Sequence, residues 1–307
     1  MNGVDARDGA RDGVVKGEQL RGKRARTAIV AGCLSLTTGC VQLIVPPGAA
    51  SLRYRDAIFT NVDVTSDVVY GHATDYLGRN VGLKLDAYVP RGDATTNRPA
   101  IVWVHGGGLS GGNKLMPEIV DESTVFAQKG FVSVAIDYRL NTPICDTAPN
   151  AACDVVMGDA QHDAQAAVRF LRANAATYGV DATKIAIAGT SAGAITALNV
   201  AYNPGDVGTS GNPGFASDVG AAISLSGSLQ LGAPDVGEPP SLLFHGTADS
   251  QVPYAWAQAT QLSALTAGVL CTMTSWQGAG HVPYVPHRAE ILDQTTNFLY
   301  WELNLGG

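Results

Sequence analysis

Apolar and polar residues alternate along Phe59 to Tyr70 and again along Val81 to Val89, the two-residue period of strands with one buried face. The polar run DYLGRN between them marks the turn of an antiparallel pair. Downstream the pattern changes. Pro99 to Val104, Phe131 to Leu140, Gly220 to Ser226 and Pro240 to His245 are nearly continuous apolar runs, as in strands covered on both faces. Segments of helix length separate them. One lies near Pro117 to Lys129. Another, Asp159 to Tyr178, repeats Ala160, Ala164, Ala167, Val168, Leu171 and Tyr178 on one face, and a last helix covers 286–304. Strands alternating with helices predict an α/β domain with a mainly parallel central sheet and helices on both faces. No repeat and no second domain is visible, so one domain is expected over 59–307, preceded by a tether at 41–58 and an N-terminal extension at 1–40.

One stretch of this pattern carries chemistry. Lys184 to Asn199 reads as a short apolar strand, a glycine turn and a helix, with Ser191 at the apex of Gly189-Thr190-Ser191-Ala192-Gly193. A serine held on a strained strand-to-helix turn has its hydroxyl pushed into an open site. The glycines flank it where a Cβ would meet neighbouring backbone. The following helix aims its first N–H groups at the site, so the amide of Ala192 is placed to stabilise a developing oxyanion. Gly108-Leu109-Ser110-Gly111-Gly112 is a second literal match. It follows a strand, but Gly111, Gly112 and Pro117 follow it instead of a helical period, so Ser110 reads as a loop serine.

The buried run ending at Val104 leads into His105-Gly106-Gly107-Gly108. Three glycines in succession let backbone N–H groups approach a substrate oxygen without side chains in the way.

A serine hydroxyl needs a base, and the base needs an acid that fixes its tautomer. Of six histidines, His105 belongs to the glycine loop, His162 to a helix, His72 to the opening hairpin and His245 to the end of a buried strand. His281 lies late in the chain, in the glycine-rich loop Gln277 to His281, and is preferred over His287, which starts the final helix. For the acid, Asp249 sits in the loop after the buried strand that ends at His245, where active sites of open α/β sheets form. Asp235 and Asp218 are rivals in polar loops, and Asp163 on its helix reads as structural.

HGGG at 105–108, DYRL at 137–140, GTSAG at 189–193 and a late histidine together resemble the α/β-hydrolase superfamily, and within it esterases of the hormone-sensitive-lipase-like type. The resemblance spans about residues 60–304. It implies the α/β-hydrolase fold and carboxylic ester hydrolysis by a triad of Ser191, Asp249 and His281. It also implies an oxyanion hole of the Gly107, Gly108 and Ala192 amides, and no metal or organic cofactor. Two departures stand out. A substantial helical cap usually precedes the first strands, whereas here that region holds a tether and a hairpin, implying little or no cap. The wording HGTADSQVP around the acid is more similar to small acetyl-xylan, feruloyl or polyester-cleaving hydrolases. Short-chain, small aromatic or acetyl esters are therefore the expected substrates, with polymeric esters as the alternative. A non-catalytic surface binding module is a reading from another class.

A formal charge of −7 argues against nucleic acid and against electrostatic attachment to anionic lipid. No stretch after residue 45 is long and apolar enough to span a bilayer. Before it, the basic run Arg21 to Arg26 and the apolar stretch Thr27 to Gly39 resemble a signal peptide that ends in a bacterial lipoprotein box at Cys40. Thr37 departs from the usual leucine of that box, and an ordinary cleaved signal or a buried N-terminal helix are the alternatives. The expectation is a protein exported from a bacterial cytoplasm, lipid-anchored at Cys40 or secreted. Export permits disulfides. Cys145 and Cys153 lie in one loop, and pairing them would close a small ring that contributes about 2 to 3 kcal/mol in the chain-entropy model. Cys271, in an alternating run, reads as a buried small hydrophobe.

Overall fold

The computed structural model describes residues 50–141 and 151–306. Its chain order is β1 (Val62–Thr74), β2 (Asn80–Pro90), β3 (Arg98–Val104), α1 (Pro117–Gln128), β4 (Val132–Ile136), α2 (Ala151–Ala173), α3 (Ala175–Tyr178), β5 (Val180–Thr190), α4 (Ala192–Tyr202), β6 (Ala221–Leu225), β7 (Ser241–Gly246), α5 (Tyr254–Thr266), β8 (Cys271–Trp276) and α6 (Tyr284–Glu302). Among the described residues these form one eight-stranded sheet, ordered β1-β2-β4-β3-β5-β6-β7-β8. β1 and β2 pair antiparallel, β2 meets β4 antiparallel, and all later neighbours are parallel. The expected mainly parallel sheet is observed, with the hairpin as its antiparallel edge.

The continuous apolar runs have the cause inferred for them. Along β3, Ala100, Val102 and Val104 face one core, while Ile101 and Trp103 face the other. The first core is closed by α2, α4 and α5, through residues such as Leu171, Leu198 and Ala257. The second is closed by α1 and α6, through Phe126, Ile291 and Leu299. The four-residue α3 packs beside the first. Every helix among the described residues therefore packs on a sheet face.

Several boundaries differ from the sequence reading: the helix expected to reach Tyr178 breaks after Ala173, with Tyr178 in α3, and the last helix runs from Tyr284 to Glu302. Three further differences have a visible physical reason. β1 starts at Val62 and runs on to Thr74, because register shifts between Thr65 and Val68 and between Val69 and Gly71 break its alternation. β4 stops at Ile136: Asp137 still donates its N–H to Lys84 O at 2.8 Å, but the Arg139 amide turns to Asp163 Oδ2 at 2.9 Å, so DYRL leaves the sheet. α2 begins at Ala151, which places Cys153 in a helix and not in a loop. Cys153, Val156, Met157, Ala160 and Ala164 are all buried, an extension of the helical spacing already visible from Ala160. Cys153 is disulfide-bonded. Its expected partner Cys145, like Cys40 and the whole 1–40 extension, lies outside the described residues. Cys271 is free and buried, as expected.

The stretch read as a tether is docked where it is described. Tyr54 and Phe59 donate their amides to Lys129 O and Gln128 O, the Tyr54 ring meets Phe131 edge-on at 5.4 Å, and Arg53 pairs with Asp93. These contacts lie just before β4 begins, at the amino ends of the parallel strands.

Candidate active site

Strand connections run leftward from β3 to β4 and rightward from β5 to β8, so the chain reverses direction between the neighbouring strands β3 and β5. Such a switch point leaves a crevice outside the carboxyl ends. Val104 pairs in register with Gly189, which brings the HGGG loop and the GTSAG turn to the same level.

Ser191 sits between β5 and α4 with φ 56° and ψ −120°. For a side chain other than glycine this conformation costs on the order of 1–3 kcal/mol and persists only where its surroundings enforce it. The enforcement is visible. Every residue of α4 is buried, and Ser191 donates its N–H to Leu225 O at 2.8 Å. A Cβ at Gly193 would lie 2.0 Å from Val104 O, and one at Gly189 would lie 2.3 Å from Gly193 O. The turn thus lies directly on the end of β3, and the glycines make that approach possible.

His281 Nε2 accepts from Ser191 Oγ at 2.7 Å, and its Nδ1 donates to Asp249 Oδ2 at 2.8 Å. Asp249 follows β7, and its side chain is fully enclosed. Burial acts to raise its pKa, but hydrogen bonds from His245, His281 and the Gln251 amide outweigh it and hold the carboxyl well below the usual carboxylate range. The ionised acid therefore fixes the Nδ1–H tautomer of His281 and leaves Nε2 facing the serine. The loop carrying His281 is fixed by its own contacts. Ala248 donates its N–H to Ala279 O at 2.9 Å, and a Cβ at Gly246 would come within 2.3 Å of Ala279 O and Gly280 O. Val282, a β-branched residue at φ 49°, donates its N–H to Ser226 Oγ at 3.0 Å, and Ser226 itself stands at φ 59°. Sequence reading left Ser226 and Gly246 without a role. The short polar segment Ser226 to Ser228 directly after a buried strand was the available signal.

Across the crevice, Gly107 and Gly108 have φ 113° and 61°, and neither amide donates to another described residue. A Cβ at Gly107 would lie 2.2 Å from Gly111 O. Ala192 is the first residue of α4, where an amide has no intrahelical acceptor. Gly107 is exposed, Gly108 half-buried and Ala192 buried. His105 points away from this opening: it is buried, stacks on Tyr138 at 4.4 Å and receives the Tyr138 hydroxyl hydrogen bond on its carbonyl. Burial lowers its pKa. DYRL thus braces the glycine loop. Asp137 Oδ1 accepts the Lys114 amide at 2.7 Å, and Arg139 forks onto Asp163.

The rivals are engaged elsewhere. Ser110 Oγ is 3.5 Å from Gly107 O, and His287 stacks on Trp276 at 4.1 Å beside Glu290. Asp218 and Asp235 lie in loops away from the serine, the first against Arg172 and the second on the Glu238 turn.

Comparison with known proteins finds similarity to hydrolases. The BD-FAE family model matches residues 85–227, which include the glycine loop and the serine turn but not Asp249 or His281. Phenmedipham hydrolase of Pseudarthrobacter oxydans is 33% identical over 123 residues, 40% of this chain and 23% of that protein. Lipase 2 of Diutina rugosa is 30% identical over 208 residues, 66% of this chain and 35% of the lipase. The chain therefore spans about a quarter to a third of the length of these relatives. Among solved structures, Thermogutta terrifontis esterase 2 phosphorylated by paraoxon superposes with a TM-score of 0.65 at 26% identity, covering 81% of this chain and 95% of that one. The same esterase with propionate bound covers 83% and 98%, with a TM-score of 0.64 at 26% identity.

Proposed function

We propose that this chain, a member of the α/β-hydrolase superfamily, is a serine carboxylic ester hydrolase that works through an acyl-enzyme. The observation that carries the proposal is the hydrogen-bonded line from Ser191 through His281 to Asp249, with the Gly107 and Gly108 amides across the crevice donating to no other described residue. Ser191 Oγ attacks the ester carbonyl while His281 Nε2 takes its proton. The Gly107, Gly108 and Ala192 amides hold the oxyanion, His281 returns the proton to the departing alcohol, and water repeats the sequence on the acyl-serine.

Short acyl groups are the favoured substrates. A solved relative holds propionate, and another state of it is phosphorylated by an organophosphate, as expected of an activated nucleophile. Esters of bulky or polymeric alcohols are the second reading, favoured by the exposure of Gly107 at the glycine loop. A disulfide at Cys153 suits an oxidising compartment, which supports export; the lipid anchor at Cys40 is part of the same proposal and rests on the sequence alone.

Hydrolysis of p-nitrophenyl esters from acetate to palmitate, beside mass spectrometry after a fluorophosphonate probe, tests the proposal. Turnover of the short esters with the adduct on the Ser191 peptide is expected. No turnover and no adduct would return the chain to the binding-module reading.

A further inference from the structure

The triad accounts for one histidine at Asp249, yet a second one touches the same carboxylate. His245 is the penultimate residue of β7 and has no exposed surface. Its Nε2 lies 2.8 Å from Val252 O and 3.3 Å from Asp249 Oδ2, the oxygen that also accepts from His281 Nδ1 at 2.8 Å. Both acceptors face Nε2, so that nitrogen carries the proton and donates to both. Nδ1 has no partner among the described residues. An unpartnered, buried ring nitrogen is costly, and a histidine placed this way is poorly explained as packing alone, since an apolar residue would fill the space without that penalty. The other groups around the ring are Tyr254 of α5, with centroids 5.8 Å apart, Asp249 in the loop after β7, and His281 beyond the carboxylate. Asp249 Oδ1 meanwhile accepts the Gln251 and Val252 amides at 2.9 and 3.0 Å. Two imidazoles on one oxygen and two amides on the other occupy all four acceptor sites of the carboxylate.

We propose that His245 is a positioning residue for the catalytic acid: its Nε2–H locks the plane of the Asp249 carboxylate and takes up part of the negative charge on Oδ2, which sets how strongly Asp249 holds the protonated form of His281. The inference rests on the triad reading above. Without His245 the carboxylate keeps its charge but loses a donor, so it pulls harder on the His281 proton. The acid limb of kcat/KM then moves to higher pH, and a rotating carboxylate orients the imidazole less well.

The test compares wild type with His245→Leu and His245→Gln, whose amide nitrogen reaches about as far as Nε2. It uses the pH profile of short-ester hydrolysis together with the NMR titration of the His281 ring. In His245→Leu, kcat is expected to fall about tenfold to a hundredfold, the scale on which partners that orient a functional imidazole act. The His281 titration is expected to move to higher pH than in wild type. His245→Gln restores most of both. An unchanged profile and titration in a folded His245→Leu protein, with only its melting temperature lowered, overturns the inference. So does a folded His245→Gln that rescues neither. The NMR titration needs no turnover, so a wild type that proved inactive would count against the triad reading while the His281 titration still decided the role of His245.

Discussion

Two loops in this protein are written with nearly the same letters and do different work. GLSGG at 108–112 and GTSAG at 189–193 both follow a buried strand, and both put a serine between glycines. In the second, the chain turns at once into the buried helix α4, Ser191 is forced to φ 56°, and its hydroxyl meets His281. In the first, Gly107, Gly108, Leu109 and Gly112 take positive φ and the loop curls back on Gly107 O, to which Ser110 and Gly111 donate their amides. The serine hydroxyl there points back to Gly107 O, and the backbone is what the site uses. The loops also touch, since a Cβ at Gly106 would come within 3.2 Å of the Ser191 Cβ. A glycine–serine pattern therefore supplies a nucleophile only when a helix starts immediately after it. Without the helix it supplies amides.

The largest expected effect separates the two serines. Ser191→Ala should lower kcat for short esters by about 10⁵ to 10⁶, the scale of losing a triad nucleophile, whereas Ser110→Ala should leave it within about twofold. The reverse result in steady-state assays would exchange the roles of the loops. Next comes the backbone of the first loop. Gly107→Ala brings a Cβ to 2.2 Å from Gly111 O at φ 113°, so the loop must shift its amides. A fall of about 10² to 10³ in kcat is expected, with KM little changed and the fold retained by circular dichroism. An effect on KM alone would remove Gly107 from the oxyanion hole.

The smallest effect concerns what anchors that loop. Lys114 is nearly buried and lies 3.0 to 3.5 Å from Asp67, Asp86 and Asp137. Burial alone would lower its pKa, but the hydrogen bond to Asp67 and the surrounding carboxylates raise it, so it stays charged. Lys114→Met leaves those acids unbalanced. A loss of about 2 kcal/mol is expected, discounted because Asp67 is half-exposed, with kcat down by less than tenfold. Thermal melting beside the assay checks this, and an unchanged melting temperature would deny the anchor.

The same contrast shows why some features were legible and others were not. Strand β3, the HGGG tetrad and the serine turn are runs of neighbouring residues whose physics is local, so periodicity and glycine placement reveal them. The choice of His281 over His287 and of Asp249 over Asp235 rested on their order after successive strands, and the structure brings those two to Ser191. Lys114, Ser226 and His245 carried no such signal. Their partners lie 23 to 56 residues away or across a tight loop, and a lone polar residue beside an apolar run reads the same whether it anchors a loop or faces water. Cys153 was misplaced for the opposite reason. Its helical spacing with Val156, Met157 and Ala160 is present in the sequence, but the polar, proline-containing run before it has the composition of a loop.

What this chain's sequence determined by itself is its succession of strands and helices and the two glycine loops, because hydrophobic period and steric freedom act between residues a few positions apart. What only the tertiary structure decided is which loop lends a side chain and which lends its backbone. It also decided which carboxylate meets which imidazole, and that two histidines share one acid. Those choices depend on parallel strands placing the ends of β3, β5, β6, β7 and β8 side by side, an alignment that long crossovers impose and that no local stretch of residues contains.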